Sequence, residues 1–137
     1  MAEFLPALGA AVRAVRARLD RELQAHGLHV GQHMILRVLW EADGLTPREI
    51  AERVRVEMPT VTRAVQRMER GGFLRRAAHP EDARSVRIYL TDRGREMRDV
   101  VGALLARETE CALRGIEPEQ AESMTLLLER VAANLRS

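Results

Sequence analysis

Apolar residues near the start of the chain recur at the spacing of an amphipathic helix. Six of them follow at intervals of three or four residues and share one stripe: Phe4, Leu8, Val12, Val15, Leu19 and Leu23. Gly27 ends this helix. A second helix is predicted after Gly31, and it stops near Asp43 and Gly44. Its expected buried side chains are Met34, Ile35, Val38 and Leu39.

Two shorter helices follow, separated by a tight break. The first has a strong start, because Thr46 suits the N-cap, Pro47 the first helical position and Glu49 the return bond of a capping box. After a break at residues 55–57, the second is predicted from about residue 58 to residue 70. This succession is typical of a helix-turn-helix.

The second short helix has one apolar and one polar face. Val61, Val65 and Met68 recur at spacings of four and three and are expected to point inward. Its outer face offers side chains of the kinds that contact base edges and phosphates: Thr62, Arg63, Gln66, Arg67 and Arg70. A solvated arginine-rich helix face is the alternative interpretation of this helix taken alone.

The periodicity then changes to two. Residues 73–77 and 86–90 predict two strands, and the polar segment between them (residues 79–85) predicts a hairpin loop. Arg84 is expected at the tip of this loop, where a guanidinium can enter a narrow minor groove. Asp82 is placed to pair with Arg84 or with another wing arginine and to fix its direction. The alternative is an exposed turn ion pair of little energetic weight. A hairpin after a helix-turn-helix predicts a winged helix.

Two long amphipathic helices complete the chain, one capped by Thr91 and running to about Arg114, the other starting at residues 117–119. Their apolar positions are Met97, Val101, Leu104, Leu105, Met124, Leu127, Leu128, Val131 and Leu135. Together with the first helix they carry more apolar surface than one small winged helix can cover. A homodimer is therefore predicted. The alternative is that these helices fold back on their own domain.

Composition supports a mainly α-helical class. Apolar residues make up 46% of the 137 residues but aromatic residues only 3%, so the core is expected to be aliphatic. An apolar run of about 18 residues is absent and the first residues are unlike a signal peptide, so no membrane partner is expected. The single cysteine, Cys111, cannot form an internal disulfide, and this favours a cytoplasmic location.

Charge is concentrated where the winged helix is predicted. Residues 55–95 contain ten arginines against five acidic residues, a surplus of five positive charges. The chain has no lysine, so every fixed cation is a planar guanidinium able to bind phosphate or guanine through two bonds. Double-stranded DNA is the partner that this distribution favours.

Three stretches of the chain resemble the MarR family. They are residues 45–54 (LTPREIAERV), residues 59–63 (PTVTR) with 68–74 (MERGGFL), and residues 80–84 (PEDAR) with 90–94 (LTDRG). The resemblance implies one domain over residues 1–137, with a reading head at 30–95 and dimerisation helices at 1–26 and 91–137. It also implies a triangular homodimer with each wing in a minor groove, and in many members a repressor released by small aromatic or phenolic ligands. One departure is Glu57, a weak cap where the family commonly has Ser or Thr.

The candidate site residues follow from the pattern and the resemblance together. Those expected to contact DNA are Thr60, Thr62, Arg63, Gln66, Arg67, Arg70, Asp82, Arg84 and Arg87. His33 and Arg37, one helical turn apart, are placed to receive an acidic phenol, or they form a surface pair. No cofactor and no catalytic residue is expected, because the sequence lacks a phosphate loop and a nucleophile motif.

Three further interpretations stay open. His26, His29 and His33 have a spacing compatible with a zinc-responsive regulator, although two glycines interrupt a common helix. Cys111 is a candidate redox switch or a packing residue. A winged helix used only as a protein-interaction module is the third, and the arginine-rich outer face argues against it.

Overall fold

The computed structural model describes residues 3–136, and within them the fold is mainly α-helical with a small antiparallel hairpin. The elements in chain order are α1 (Phe4–Gln24), α2 (Gln32–Glu41), α3 (Pro47–Val54), α4 (Met58–Arg70), β1 (Leu74–His79), β2 (Asp82–Leu90), α5 (Asp92–Ala112) and α6 (Pro118–Arg136). The winged helix-turn-helix fold class is confirmed: α3 and α4 form the helix-turn-helix, and β1–β2 forms the wing.

The chain divides into two units, each described by itself. The first runs to Leu105 and contains α1 to β2 with most of α5. The second begins at Ala106 and contains the end of α5 and all of α6. Within residues 3–136, no helix is both long and apolar enough to cross a bilayer.

The core of the first unit is aliphatic except for one aromatic ring. Val61, Val65 and Met68 of α4 are each 1% exposed, as the spacing predicts. Phe73, just after α4, is also 1% exposed and packs in the same cluster. One expectation for α2 is wrong: Met34 is 40% exposed, because the buried face of this helix passes through His33 and Leu36 instead.

The ends of the short helices explain why they start and stop where they do. The Thr46 hydroxyl accepts the Glu49 amide at 3.1 Å, and the Glu49 carboxylate accepts the Thr46 amide at 3.0 Å, so the capping box is confirmed. Arg55 ends α3 with φ of 58°, the left-handed conformation that usually suits glycine. Glu57 precedes α4 and makes no side-chain cap bond, in keeping with its poor capping chemistry.

The wing is longer than the sequence predicts. β1 and β2 pair from Leu74↔Leu90 to Ala78↔Val86, and the register then shifts so that His79 lies opposite Asp82. The turn is therefore only Pro80 and Glu81, where the missing amide of proline needs no strand partner. Residues 83–85 form the irregularity, and Arg84 lies in it, within β2. The prediction that Arg84 stands at the hairpin tip is wrong.

Both long terminal helices leave their apolar stripes uncovered in a single chain. In α1 only Leu23 is buried, while Phe4, Val12 and Val15 are 46–47% exposed. α6 has no buried residue, and its exposed leucines include Leu127 at 63% and Leu135 at 79%.

Candidate nucleic-acid interface

α4 separates apolar from polar side chains around its axis. At 3.6 residues per turn, the buried face occupies one side and leaves the opposite side to polar and basic residues. All six candidates on this helix are exposed: Thr60, Thr62, Arg63, Gln66, Arg67 and Arg70. The structure therefore brings them to one outward surface, as the sequence predicts.

Five of the ten arginines in residues 55–95 have a guanidinium already engaged within the chain. Arg76 pairs with Glu69 at 2.8 Å, and that hydrogen bond raises the arginine's pKa. Arg75 lies over the Tyr89 ring, 4.8 Å from its centroid. Arg93 lies 4.1 Å from the centre of the Phe73 ring and donates to the Gly71 carbonyl. Arg95 and Arg87 complete the engaged set, through the contacts Arg95–Asp92 and Arg87–Gly44.

The other five arginines make no side-chain hydrogen bond or ion pair with any residue in the described part of the chain. They are Arg55 in the turn between α3 and α4, Arg63, Arg67 and Arg70 on α4, and Arg84 on the wing. A guanidinium without an internal partner keeps its full hydrogen-bonding capacity for a ligand. These five cations lie on the helix-turn-helix and wing, the elements that meet DNA in this architecture.

The Asp82 carboxylate makes no ion pair or hydrogen bond with the Arg84 guanidinium. It accepts the backbone amide of Arg84 at 3.1 Å, a local turn bond that holds the irregular stretch of β2. Asp82 therefore orients the Arg84 backbone, and the Arg84 side chain is exposed.

Arg87 has a different environment from the other DNA-contact candidates. Its Nη1 donates to the Gly44 carbonyl at 3.1 Å and lies 3.6 Å from the Glu49 carboxylate. The Glu49 pKa is lowered, mainly by its hydrogen bonds with Thr46 and further by the charge of Arg87. The structure thus places Arg87 against the start of α3.

A pocket of about 660 Å³ adjoins the reading face of α4. It is lined by segments of α1, α2 and α4, including His33, Arg16, Arg63 and Arg67. Burial lowers the pKa of His33, and the neighbouring charge of Arg37 lowers it further. The His33 Nδ1 accepts the Gly31 amide at 3.2 Å. Arg37 itself is exposed and is not part of the lining.

The three histidines do not form a metal site in the described residues. His29 lies 3.6 Å from Asp20, and hydrogen bonding to the Val30 amide is the main cause of the lowered Asp20 pKa. Among residues 3–136, no group of three histidine, cysteine or acidic side chains is close enough to hold a metal ion. Cys111 is partly buried on α5, with an Arg114 nitrogen 3.8 Å from its sulfur.

The folded elements define a winged helix-turn-helix with a cationic reading face. Comparison with known protein families gives a more specific assignment. Residues 28–86 match the MarR family model. The chain is 26% identical over 135 residues to the uncharacterized HTH-type transcriptional regulator YybA of Bacillus subtilis (strain 168), covering 98% of this chain and 90% of that protein. Over residues 28–86, and by its similarity to such regulators along nearly its whole length, the chain resembles the MarR family of transcriptional regulators.

Solved structures agree with this assignment. The crystal structure of the transcriptional regulator SlyA superposes with a TM-score of 0.86 at 26% identity, covering 97% of this chain and 94% of that one. A mutant of MarR from Escherichia coli, complexed with operator DNA, shares the fold with a TM-score of 0.83 at 20% identity, covering 92% and 91%. The matched proteins are regulators of transcription and not enzymes.

Sequence reasoning missed the contacts that lock the elements together. Trp40 donates its indole N–H to the Gly94 carbonyl at 2.9 Å, joining α2 to α5. Arg76 joins β1 to α4, and Arg87 joins β2 to the start of α3. The lone tryptophan was a usable signal, since a buried indole N–H needs an acceptor. The arginine pairings had no such signal in the sequence, because they join residues that are distant along the chain.

Proposed function

We propose that this protein is a sequence-specific DNA-binding repressor that acts as a homodimer and is released by a small acidic ligand. The observation that carries DNA binding is the set of arginines without internal partners on α4, the preceding turn and the wing. α4 lies in the major groove in this proposal, with Arg63 and Gln66 contacting base edges. Arg67 and Arg70 contact phosphates, and Arg84 enters the minor groove. The operator complex of the Escherichia coli MarR mutant supports this docking by analogy of fold.

The test separates base readout from phosphate contact. The duplex is one that the protein itself selects from a random-sequence library. Gln66→Ala is expected to cost about 1–3 kcal/mol on the selected duplex and little on random DNA. Arg70→Ala is expected to weaken both equally and to flatten the salt dependence by about 0.9 for each phosphate interaction that it removes. Equal loss by Gln66→Ala on both DNAs contradicts the assignment of α4 as the recognition helix.

The homodimer rests on the uncovered stripes of α1 and α6. Contiguous exposed apolar surface of this kind marks an interface in soluble proteins. In a two-fold dimer both copies use the same surface, and two reading heads then contact half-sites about 10 bp apart. A near-palindromic sequence in the selected duplexes is the expected result, and selection of single half-sites contradicts it.

The ligand site that we propose is the pocket beside α4. Its volume suits a small molecule, and it combines apolar walls such as Leu19 and Ile35 with the cations Arg16, Arg63 and Arg67. His33 contributes a buried imidazole, and Arg37 adds positive charge nearby without lining the pocket. Because Arg63 and Arg67 belong to both the pocket and the reading face, an anion bound here competes with DNA for the same guanidinium groups.

Benzoate and its uncharged isostere benzamide provide a matched pair of probes. Benzoate is expected to raise the thermal midpoint and to weaken DNA binding, while benzamide does neither at equal concentration. Arg16→Ala, on α1 and away from the reading face, is expected to reduce the benzoate effect without changing DNA affinity. If benzoate and benzamide act alike, the cationic pocket is not the effector site.

A further inference from the structure

We infer that Arg87 is a positioning residue, which fixes the wing against the first helix of the helix-turn-helix and makes no contact with DNA. This inference depends on the DNA-binding function proposed above. Its support is the set of contacts that hold Arg87 and the wing in place.

Three bonds attach β2 to the connection between α2 and α3. The Leu90 amide donates to the Asp43 carboxylate at 2.9 Å, and the Ile88 amide donates to the Leu45 carbonyl at 2.8 Å. The bond from Arg87 to the Gly44 carbonyl, at 3.1 Å, is the one closest to the wing tip. Beyond it, residues 78–86 make no hydrogen bond to another element of the described chain. The direction of the free part of the wing therefore depends on this attachment.

Hydrogen bonds hold the other end of the contact. Glu49, 3.6 Å from the Arg87 guanidinium, is held by the capping box with Thr46 at the first turn of α3. On the opposite strand, Arg76 binds Glu69 of α4. Besides the backbone bonds of Ile88 and Leu90, the wing thus has one arginine attachment on each strand, to the start of α3 by Arg87 and to α4 by Arg76.

The charge of Arg87 is already used inside the protein. Its side chain is only 28% exposed, and its guanidinium faces a carboxylate and a carbonyl. A DNA contact requires those interactions to break first. Arg84, three residues earlier on the same strand, is exposed without an internal partner in residues 3–136 and is therefore the matched comparison.

The Arg87 contact fixes the position of the wing and contributes little to folding stability. The Arg87 Nε is buried without a hydrogen-bond partner among the described residues, and a group in that state opposes folding. Partly exposed ion pairs contribute little on their own. Replacing Arg87 by methionine, which keeps much of the aliphatic stem, is therefore expected to leave the thermal midpoint nearly unchanged, so that a change in DNA affinity reports position.

The first experiment measures DNA affinity against salt concentration on the selected duplex. Arg87→Met is expected to weaken binding about tenfold, the scale of one coupled contact, with an unchanged salt slope. Arg84→Met is expected to lower the slope by about 0.9 for each phosphate charge that the Arg84 guanidinium neutralises from within the minor groove. Arg87→Lys, which can still reach Gly44 and Glu49, is expected to recover part of the affinity. A slope that falls in Arg87→Met overturns the inference.

Glu49→Gln tests the partner, because it removes the ion pair and keeps an oxygen for the Thr46 amide. If Arg87 acts through Glu49, Glu49→Gln weakens binding and the double variant is no weaker than Arg87→Met alone. If Arg87 contacts DNA, removing the carboxylate strengthens binding instead. That result also overturns the inference.

A measurement without DNA distinguishes failure of this inference from failure of the proposed function. Spin labels at Glu81→Cys on the wing turn and Glu52→Cys on α3, with Cys111→Ser, report the distance from wing to helix. Arg87→Met is expected to broaden that distribution and Arg84→Met is not. If the wild-type protein selects no duplex, the proposed function fails and the spin-label distances still decide the role of Arg87. An unchanged distribution in Arg87→Met contradicts it.

Discussion

The reading head buries its apolar residues, whereas the terminal helices leave most of theirs exposed. In α4 the apolar residues Val61 and Val65 are 1% exposed, and the exposed face is polar and basic. In α6 no residue is buried, and Leu127 is 63% exposed. The reading head therefore completes its core within one chain and leaves cations outside, while the apolar stripe of α6 stays exposed. In the function that we propose, DNA binding and association of two copies thus belong to different parts of the molecule.

The largest expected effect is on dimerisation through the apolar stripe of α6. Leu127 belongs to the apolar stripe of this helix, and Leu126, 60% exposed, lies outside that stripe. A charge buried in an interface without a partner costs several kcal/mol. Leu127→Glu is therefore expected to raise the dimer dissociation constant by at least about 100-fold. Leu126→Glu, the same change at a similar exposure, is expected to have little effect.

Sedimentation of both variants over a range of concentrations measures this difference. The reading head is expected to keep its thermal transition in Leu127→Glu, because its core lies elsewhere. Equal dimerisation by both variants would show that the stripe of α6 is not the interface.

The second prediction concerns stability at the edge of the reading head. A side chain at Gly94 would overlap the Phe73 carbonyl oxygen, whereas Gly102, in the same helix α5, has nothing within 4 Å of the position of an added Cβ. Gly94→Ala is expected to destabilise the protein by about 3 kcal/mol, the upper range for overpacking. Gly102→Ala is expected to stabilise it by about 0.5–1 kcal/mol through helix propensity. Chemical denaturation of the two variants gives both values, and the same sign for both contradicts the close packing at Gly94.

The sequence predicted those parts of the fold that depend on local pattern. The capping box at Thr46 and Glu49, the inward row of Val61, Val65 and Met68, and the two glycines after α4 are all encoded within a few residues. The outward face of α4 follows from the same period. For this reason the helix-turn-helix and the candidate residues on α4 were predictable from the sequence.

The rest depends on contacts between distant residues. The irregularity in β2 that moves Arg84 away from the tip arises where the register shifts. Residues 79–85 are polar, and for this reason their sequence predicts a loop and not the strand that forms there. The attachment of Arg87 to Gly44 spans 43 positions. The burial of His33 in place of Met34 reflects which face of α2 its neighbours cover. None of these has a local signal.

The third prediction sharpens the comparison within the wing. Arg84 is exposed, so Arg84→Ala is expected to change folding stability by no more than about 0.5 kcal/mol. In a narrow minor groove the same side chain meets a concentrated negative potential, and its loss is expected to abolish most DNA binding at physiological salt. Asp82→Asn is expected to act in the same direction more mildly, because it loosens the Arg84 backbone. Thermal melting and DNA affinity measured side by side decide this, and wild-type affinity in Arg84→Ala rules out the docking of the wing.

The smallest expected effect is the pH dependence from His33, a polar group at the edge of the apolar core of the reading head. Burial lowers its pKa in the folded state, so the unfolded chain binds the proton more readily as the pH falls below the ordinary histidine range. The stabilising contribution of neutral His33 is therefore complete above that range and is lost as the pH falls through the lowered folded pKa. His33→Asn keeps an acceptor for the Gly31 amide and cannot titrate. The wild-type protein is expected to lose more stability than this variant as the pH falls below the ordinary histidine range, measured by urea unfolding at a neutral and an acidic pH. His26→Asn, at an exposed position, is the control and is expected to follow the wild type. Parallel losses in the wild type and His33→Asn would mean that another group governs acid stability.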